Sequence, residues 1–101
     1  MAKKEVNIVW SKSASRHFLE ILEFLSLHSE QATSIIGNAI LNEIDFLAKT
    51  PMSHPEDRFK KRNDGTFRAY VIFSYRISYK IDGTTIKIVR IRHTSRQPLE
   101  F

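Results

Sequence analysis

The stretch Tyr75–Gly83, YRISYKIDG, decides the fold. Apolar and polar side chains alternate along it, which predicts a β-strand with one buried face. The Asp82-Gly83 pair at its end predicts a tight hairpin turn, because such a turn needs residues that tolerate positive φ. Residues Ile86–His93 predict the returning strand, and their apolar phase shifts after Ile88, which is compatible with a β-bulge.

Toward the N-terminus, the period of two continues into a preceding strand that starts at Phe67. On the buried face of the two strands we expect Phe67, Ala69, Val71, Phe73, Tyr75, Ile77, Tyr79 and Ile81. On the opposite face we expect Arg68, Arg76, Ser78 and Lys80. The segment Met52–Gly65 is polar and predicts a loop or a ragged edge strand.

The N-terminal half predicts a short strand followed by two helices. Residues Glu5–Trp10 alternate loosely as a strand, which we expect beside a C-terminal strand of the sheet. Apolar residues then recur at helical spacing, after the N-cap candidates Ser11 and Ser13 and up to His28-Ser29. A second helical pattern begins at Ser29 or Glu30 and ends before Pro51. The short join between the two predicts an αα-hairpin.

The element order is therefore β-α-α-β-β-β, which predicts an α+β fold with the αα-hairpin packed on a twisted, mainly antiparallel sheet. The 101 residues fit a single domain, 1–101, because most domains contain about 100–150 residues. We expect the core to contain Phe18, Ile21, Leu25, Ile36, Ile40, Ile44, Leu47, Ile77 and Tyr79.

The positive charge is concentrated in the C-terminal half. Residues 58–96 carry eleven basic and two acidic side chains, whereas residues 1–57 carry five basic and eight acidic ones. Such asymmetry predicts a binding surface for nucleic acid or for an acidic protein segment, the alternative being a solvated basic face without a ligand.

Several function classes are excluded by the residues that the sequence lacks. It has no cysteine, no glycine-rich phosphate loop and no cluster of histidine and carboxylate at metal-ligand spacing, so we expect neither metal nor cofactor. The partly apolar segment Val6–Trp10 is too short for a signal peptide or a membrane span, which predicts a cytoplasmic protein. His17, His28 and His54 stand alone in the sequence and are most simply surface or half-buried residues.

His93 lies among arginines in the segment Arg90–Arg96. Like-charge repulsion lowers the pKa of such a histidine, so that a neutral imidazole could act as a general base beside a phosphate. The simpler alternative is a histidine that hydrogen-bonds the backbone at the end of a strand.

Three consecutive motifs resemble the RelE/ParE superfamily of toxins, which includes plasmid stabilisation proteins. They are YRISYKIDG at residues 75–83, IKIVRI at residues 86–91 and HTSRQP at residues 93–98. The strand that ends in Trp10, the αα-hairpin and the pattern from Leu47 to Pro51 also resemble this superfamily, so the similarity spans nearly the whole chain.

The resemblance implies the toxin of a type II toxin–antitoxin module, whose partner is a small acidic antitoxin. The chain would then form a dimer or a toxin–antitoxin hetero-oligomer. ParE-like members poison DNA gyrase, whereas RelE-like members cut mRNA in the ribosomal A site by 2′-hydroxyl attack on the adjacent phosphate, without metal. Arg76 and Arg96 match two arginines of those nucleases, and Arg68 falls near one of their lysines. Tyr70 replaces another lysine, and Phe101 has no ionisable group where many of them place a tyrosine or histidine.

We therefore expect a ParE-like inhibitor of DNA gyrase that has no catalysis of its own. The alternative is a ribosome-dependent mRNA endonuclease, whose catalytic residues would be Arg76, Arg96, His93 and Arg68. A third reading is a basic binding domain without toxicity. For binding of the target or antitoxin we expect Arg58, Lys60, Lys61, Arg62, Arg90 and Arg92.

Overall fold

The computed structural model describes residues 6–96 and 100–101 and confirms the predicted α+β architecture. The elements are β1 (Asn7–Trp10), α1 (Lys12–Ser26), α2 (Glu30–Phe46), β2 (Phe67–Ile72), β3 (Tyr75–Asp82) and β4 (Thr85–His93). Glu5, where the first strand was predicted to begin, and Gln97-Pro98 of the terminal motif lie outside the described residues.

Both helices begin at a serine cap. The Ser11 hydroxyl accepts a hydrogen bond from the Ala14 backbone N–H at 2.9 Å, and the Ser29 hydroxyl accepts one from Ala32 at 3.1 Å. Each bond satisfies one N–H group that has no partner within its helix, which is why serine favours this position. In the described part of the chain, no helix is both long and apolar enough to cross a membrane.

The strands form one mixed sheet in the order β1-β4-β3-β2. β3 is antiparallel to both β2 and β4, whereas β1 lies parallel to β4, with Ile8 opposite Ile86 and Trp10 opposite Ile88. The prediction that the first strand pairs with a C-terminal strand is confirmed.

The core lies between the αα-hairpin and one face of the sheet, which we call the helix-side face. Five of the predicted core residues are buried there, namely Ile40, Ile44, Leu47, Ile77 and Tyr79. Phe18, Ile21 and Ile36 pack against this cluster and are only partly buried. Leu25 is half-buried near the end of α1.

The predicted phase of β2 is wrong by one residue. Tyr70 pairs with Ile77 and Arg68 pairs with Tyr79, so these β2 side chains share the helix-side face. Phe67, Ala69 and Val71 pair with Lys80, Ser78 and Arg76 on the opposite face, which we call the outer face. The alternation misleads because the outer face is itself covered, and apolar residues are therefore useful on both sides of β2.

The β-bulge in β4 is confirmed and determines where its arginines lie. Ser78 pairs with Arg90 and Tyr79 pairs with Ile88, so that Val89 is an extra residue between them. Beyond the bulge, Arg90 and Arg92 share the outer face with Ser78 and Arg76. The Ser11 hydroxyl donates a hydrogen bond of 2.8 Å to the Val89 carbonyl and satisfies the displaced backbone.

Candidate functional site: an arginine pocket on the outer face

The segment before β2 folds along the edge of the sheet and covers part of the outer face. The Asp57 N–H donates to the Phe67 carbonyl at 2.8 Å, and the Ala69 N–H donates to the Pro55 carbonyl at 3.1 Å. Glu56 forms an isolated β-bridge with Arg68, which fits the predicted ragged edge strand. This pairing positions Asp57 and the residues after it next to the middle of β3.

Asp57 and Arg76 form an ion pair beneath this segment. The Arg76 Nη2 lies 2.9 Å from Asp57 Oδ1, and the same oxygen accepts the Phe59 backbone N–H at 3.0 Å. The Asp57 side chain is fully buried, whereas 18% of the Arg76 side chain is exposed. Burial alone would raise the pKa of Asp57, but the hydrogen bonds from Arg76 and Phe59 outweigh it and hold that pKa below its ordinary value.

Three aromatic rings support the cations of the outer face. The Arg76 guanidinium lies 4.7 Å from the centre of the Phe59 ring, and the Arg90 guanidinium lies 3.9 Å from that of Phe101. Phe101 also meets Phe67 edge to face at 5.9 Å. A ring below a guanidinium attracts it without neutralising its charge. The outer face is thus packed while remaining cationic.

A depression of about 140 Å³ opens at the end of this layer. We call it the arginine pocket, because its lining includes Arg58, Arg76, Arg90, Arg92 and Arg96. His93, Thr94, Phe59 and Val71 complete the lining. Burial, and after it the charges of the nearby Arg92 and Arg76, lower the pKa of Arg90, although Asp57 opposes this. Guanidinium groups gathered in this way suit an anionic ligand.

The structure brings together six of the ten predicted site residues. Arg76, Arg96 and His93, predicted for a nuclease, share the pocket with Arg58, Arg90 and Arg92, predicted for partner binding. Arg68 does not join them, because it lies on the helix-side face. Its Nη1 donates to the His54 carbonyl at 2.8 Å and its Nε to the Gly65 carbonyl at 3.2 Å, so Arg68 ties the loop before β2 to the sheet.

The other predicted basic residues lie outside the lining of the arginine pocket. Lys60 donates to the Phe101 carbonyl at 3.2 Å, and Lys61 lies 3.7 Å from the Glu100 carboxylate. Arg62 is exposed and has a φ of 54°, in the left-handed region. Lys60 and Lys61 therefore help to hold residues 100–101 against the outer face.

A larger cleft of about 350 Å³ adjoins the arginine pocket between α1 and the end of β4. It shares His93, Arg92 and Arg96 with the pocket and adds His17. His17 Nδ1 accepts the Ile91 N–H at 3.2 Å, and His93 Nδ1 accepts the Ser95 N–H at 3.0 Å. His93 therefore makes a backbone hydrogen bond at the end of a strand, as the simpler of the two interpretations of this residue expected. His17, which stands alone in the sequence, lines the same cleft.

Sequence reasoning missed the residues that organise the arginine pocket. Asp57 sits in a polar segment and Phe101 lies far from it in the sequence, so neither gives a local signal. Phe59 stands alone among the basic residues of the segment Arg58–Arg62, a pattern that gives no sign of its contact with Arg76. In residues 6–96 and 100–101, no group of three or more histidine, aspartate or glutamate side chains could hold a metal ion.

Comparisons with known proteins agree with the fold. The family model described as the ParE toxin of the type II toxin–antitoxin system parDE matches residues 8–98. The chain is similar to a structure of the chromosomal ParDE system from P. aeruginosa, with a TM-score of 0.70 and 13% identity over 88% of this chain and 96% of that chain. No curated protein matches the sequence.

Two further solved structures share this fold. The toxin–antitoxin complex RelBE2 from Mycobacterium tuberculosis aligns with a TM-score of 0.59 and 17% identity over 89% of this chain and 99% of that chain. A conserved hypothetical protein from Helicobacter pylori aligns with a TM-score of 0.50 and 14% identity, over 90% and 97% of the two chains. At these identities the structural likeness supports the fold alone.

Proposed function

Because the chain belongs to the ParE family, the toxins of type II toxin–antitoxin systems, we propose that it is a cytoplasmic, ParE-like inhibitor of DNA gyrase. In this proposal a cognate antitoxin neutralises it, and the toxin acts by binding its target rather than by cutting RNA. The family match over residues 8–98 supports the toxin assignment. The choice of gyrase over mRNA needs an argument from the site.

The observation that carries this choice is the pairing of Arg76 with Asp57. The resemblance to RelE-like nucleases assigns the arginine at this position to the phosphate at which RNA is cut. Here that guanidinium already contacts a buried carboxylate at 2.9 Å and stacks on Phe59. A guanidinium whose charge is already paired in the resting protein stabilises less of the negative charge that develops in a transition state.

The arginine pocket also suits an acidic protein partner. Arg58 and Arg96 are exposed at the pocket, and half of the neighbouring Val71 side chain is exposed as well. Cations beside an apolar side chain favour an amphipathic protein segment with several carboxylates, as expected of an antitoxin. Charge complementarity of this kind accelerates association and disfavours basic partners.

A ribosome-dependent mRNA endonuclease is the second candidate, supported by a specific observation. Arg76, Arg96 and His93 line one pocket, as a site for phosphate cleavage would require. Because the Nδ1 atom of His93 accepts the Ser95 N–H, the proton of the neutral imidazole lies on Nε2, which in this orientation can donate a proton as a general acid but cannot accept one as a general base. Phosphate cleavage would require Arg76 to leave Asp57, whereas inhibition of gyrase by binding would not.

Expression of the toxin without its antitoxin tests the two candidates. We expect gyrase-dependent DNA breaks and no ribosome-dependent transcript cleavage. Arg96→Ala is the informative variant, because Arg96 is exposed and its loss should leave the fold intact. If the protein were a nuclease, this variant would cut transcripts about 10²–10³ times more slowly than the wild type. Transcript cleavage by the wild type would overturn the gyrase proposal, and the absence of any toxicity would favour a plain binding domain.

A further inference from the structure

We propose that Asp57 is a specificity-determining residue that withholds Arg76 from phosphate groups and so keeps nucleic-acid backbone out of the arginine pocket. The inference rests on the proposed function and deepens it, since it identifies the residue that would make a protein segment the preferred ligand. Asp57 acts through Arg76 and contacts no ligand itself.

The geometry makes Asp57 difficult to displace. Its side chain is fully buried, and Oδ1 is held from two sides by the Arg76 guanidinium and the Phe59 N–H. An external phosphate that captured Arg76 would leave this carboxylate buried without its counter-ion, which is a costly state. The Phe59 ring also lies 4.7 Å from the same guanidinium and restricts its movement.

Asp57 carries its charge under ordinary conditions. The hydrogen bonds that it accepts hold its pKa below the usual range, so the carboxylate is ionised at neutral pH. The Ser78 hydroxyl lies close enough to Asp57 to contribute to the same lowering. Asp57 Oδ2 and Arg76 Nε are buried from solvent as well. The buried polar groups next to Arg76 are thus those of the protein's own carboxylate and of Ser78.

Phosphate recognition requires several donors on one group. A guanidinium binds a phosphate best when it offers two parallel N–H groups, and tight sites bring more than one guanidinium to the same phosphate. With Arg76 Nη2 bound to Asp57 and Arg76 Nε buried, a phosphate that enters the pocket meets fewer converging donors. A segment with spaced carboxylates needs no such convergence, because exposed arginines such as Arg58 and Arg96 can each pair with a separate carboxylate.

Titration with inorganic phosphate at constant ionic strength tests the inference, with the arginine Nε–H signals followed by NMR. Asp57→Asn removes the charge but keeps a side-chain oxygen for the Phe59 N–H. We expect this variant to bind phosphate about tenfold more tightly than the wild type, because it releases a charge-assisted donor. Glu56→Gln is the matched control, since it removes the same charge from an exposed neighbour and should leave the affinity near that of the wild type.

Equal phosphate affinities of Asp57→Asn and Glu56→Gln would overturn the inference. If Asp57→Asn does not fold, the wild-type titration decides: the Arg96 signal should shift with phosphate while the Arg76 signal stays in place. A shift of Arg76 at the same phosphate concentrations would contradict the inference. None of these readouts involves gyrase or ribosomes, so failure of the proposed function and failure of this inference remain distinguishable.

Discussion

The helix-side face of the sheet packs aliphatic side chains and tyrosines into the core, whereas the outer face gathers several guanidinium groups over phenylalanine rings. Ile77 and Arg76 are neighbours in β3 and represent the two arrangements, because consecutive strand residues point to opposite faces. Ile77 is fully buried among apolar residues. Arg76 lies between the Phe59 ring and the Asp57 carboxylate. The difference shows how one sheet combines a stabilising core with a covered surface that still carries charge.

The largest expected effect comes from truncation on the helix-side face. Ile77→Ala should lower the free energy of unfolding by about 2–5 kcal/mol, because it removes buried methyl groups and leaves a cavity. Chemical denaturation at neutral pH measures this change. Val71→Ala is the control on the outer face, where half of the side chain is exposed and the cost should be about 0.5 kcal/mol or less. Equal costs for the two variants would contradict the assignment of the faces.

Arg76→Ala should have the next largest effect, although a polar strand position would ordinarily tolerate the change. The substitution leaves the buried Asp57 carboxylate without its counter-ion, which we expect to lower the free energy of unfolding by about 3 kcal/mol. The double variant Asp57→Ala/Arg76→Ala removes both charges and should lose less than the sum of the two single variants. Additive losses, measured by the same denaturation series, would show that the pair contributes no coupling and that the outer face is held by its rings alone.

The smallest expected effect is a pH dependence of stability that comes from His17 on α1, next to β4. Burial, followed by the charge of Arg16, lowers the pKa of His17 below 6.5, although Glu20 opposes the shift. Arg92 and Arg90 lower it further. As the pH falls below 6.5 the unfolded chain therefore takes up a proton before the folded chain does. The contribution of His17 to stability should be fully present above pH 6.5 and should decline as the pH falls below this value.

Denaturation midpoints at pH 7.5 and 5.5 measure this dependence. His17→Gln keeps an acceptor for the Ile91 N–H without titrating, so its midpoint should fall less between the two pH values than that of the wild type. His28→Gln, at an exposed histidine, is the control and should fall as the wild type does. The prediction is wrong if His17→Gln and the wild type lose stability equally. The outer-face Asp57 does not interfere, because its pKa is lowered from 3.8 and its contribution is lost only in stronger acid.

Sequence patterns predicted the element order and the bulge, and limited the start of each helix to two residues, because each of these features depends on residues close in the chain. Ser11 and Ser29 act through a backbone N–H three residues away. The bulge follows from the apolar phase within β4 itself. Local chemistry of this kind can be interpreted without knowledge of the tertiary structure.

The phase of β2 and the composition of the arginine pocket could not be predicted in the same way. Both depend on what covers the outer face, and that cover comes from two distant parts of the chain, around Phe59 and at Phe101. Once it is present, apolar residues on the outer side of β2 are as favourable as those on the helix side. The charge of residues 58–96 indicated an anion-binding surface, but nothing in it revealed that Asp57 already binds Nη2 of Arg76.

The parallel pairing of β1 with β4 also has a consequence for biosynthesis. Ser11 and Val89, which are joined by a hydrogen bond, are 78 positions apart, and β4 lies between β1 and β3 in the sheet. A nascent chain that has not yet reached Thr85 has the helices and a hairpin, but its first strand has no neighbour. Contacts between such distant segments slow folding, because a long loop must close before they form. The arginine pocket, which needs β3 and β4 together, can therefore form only after the chain has been synthesised through Arg96.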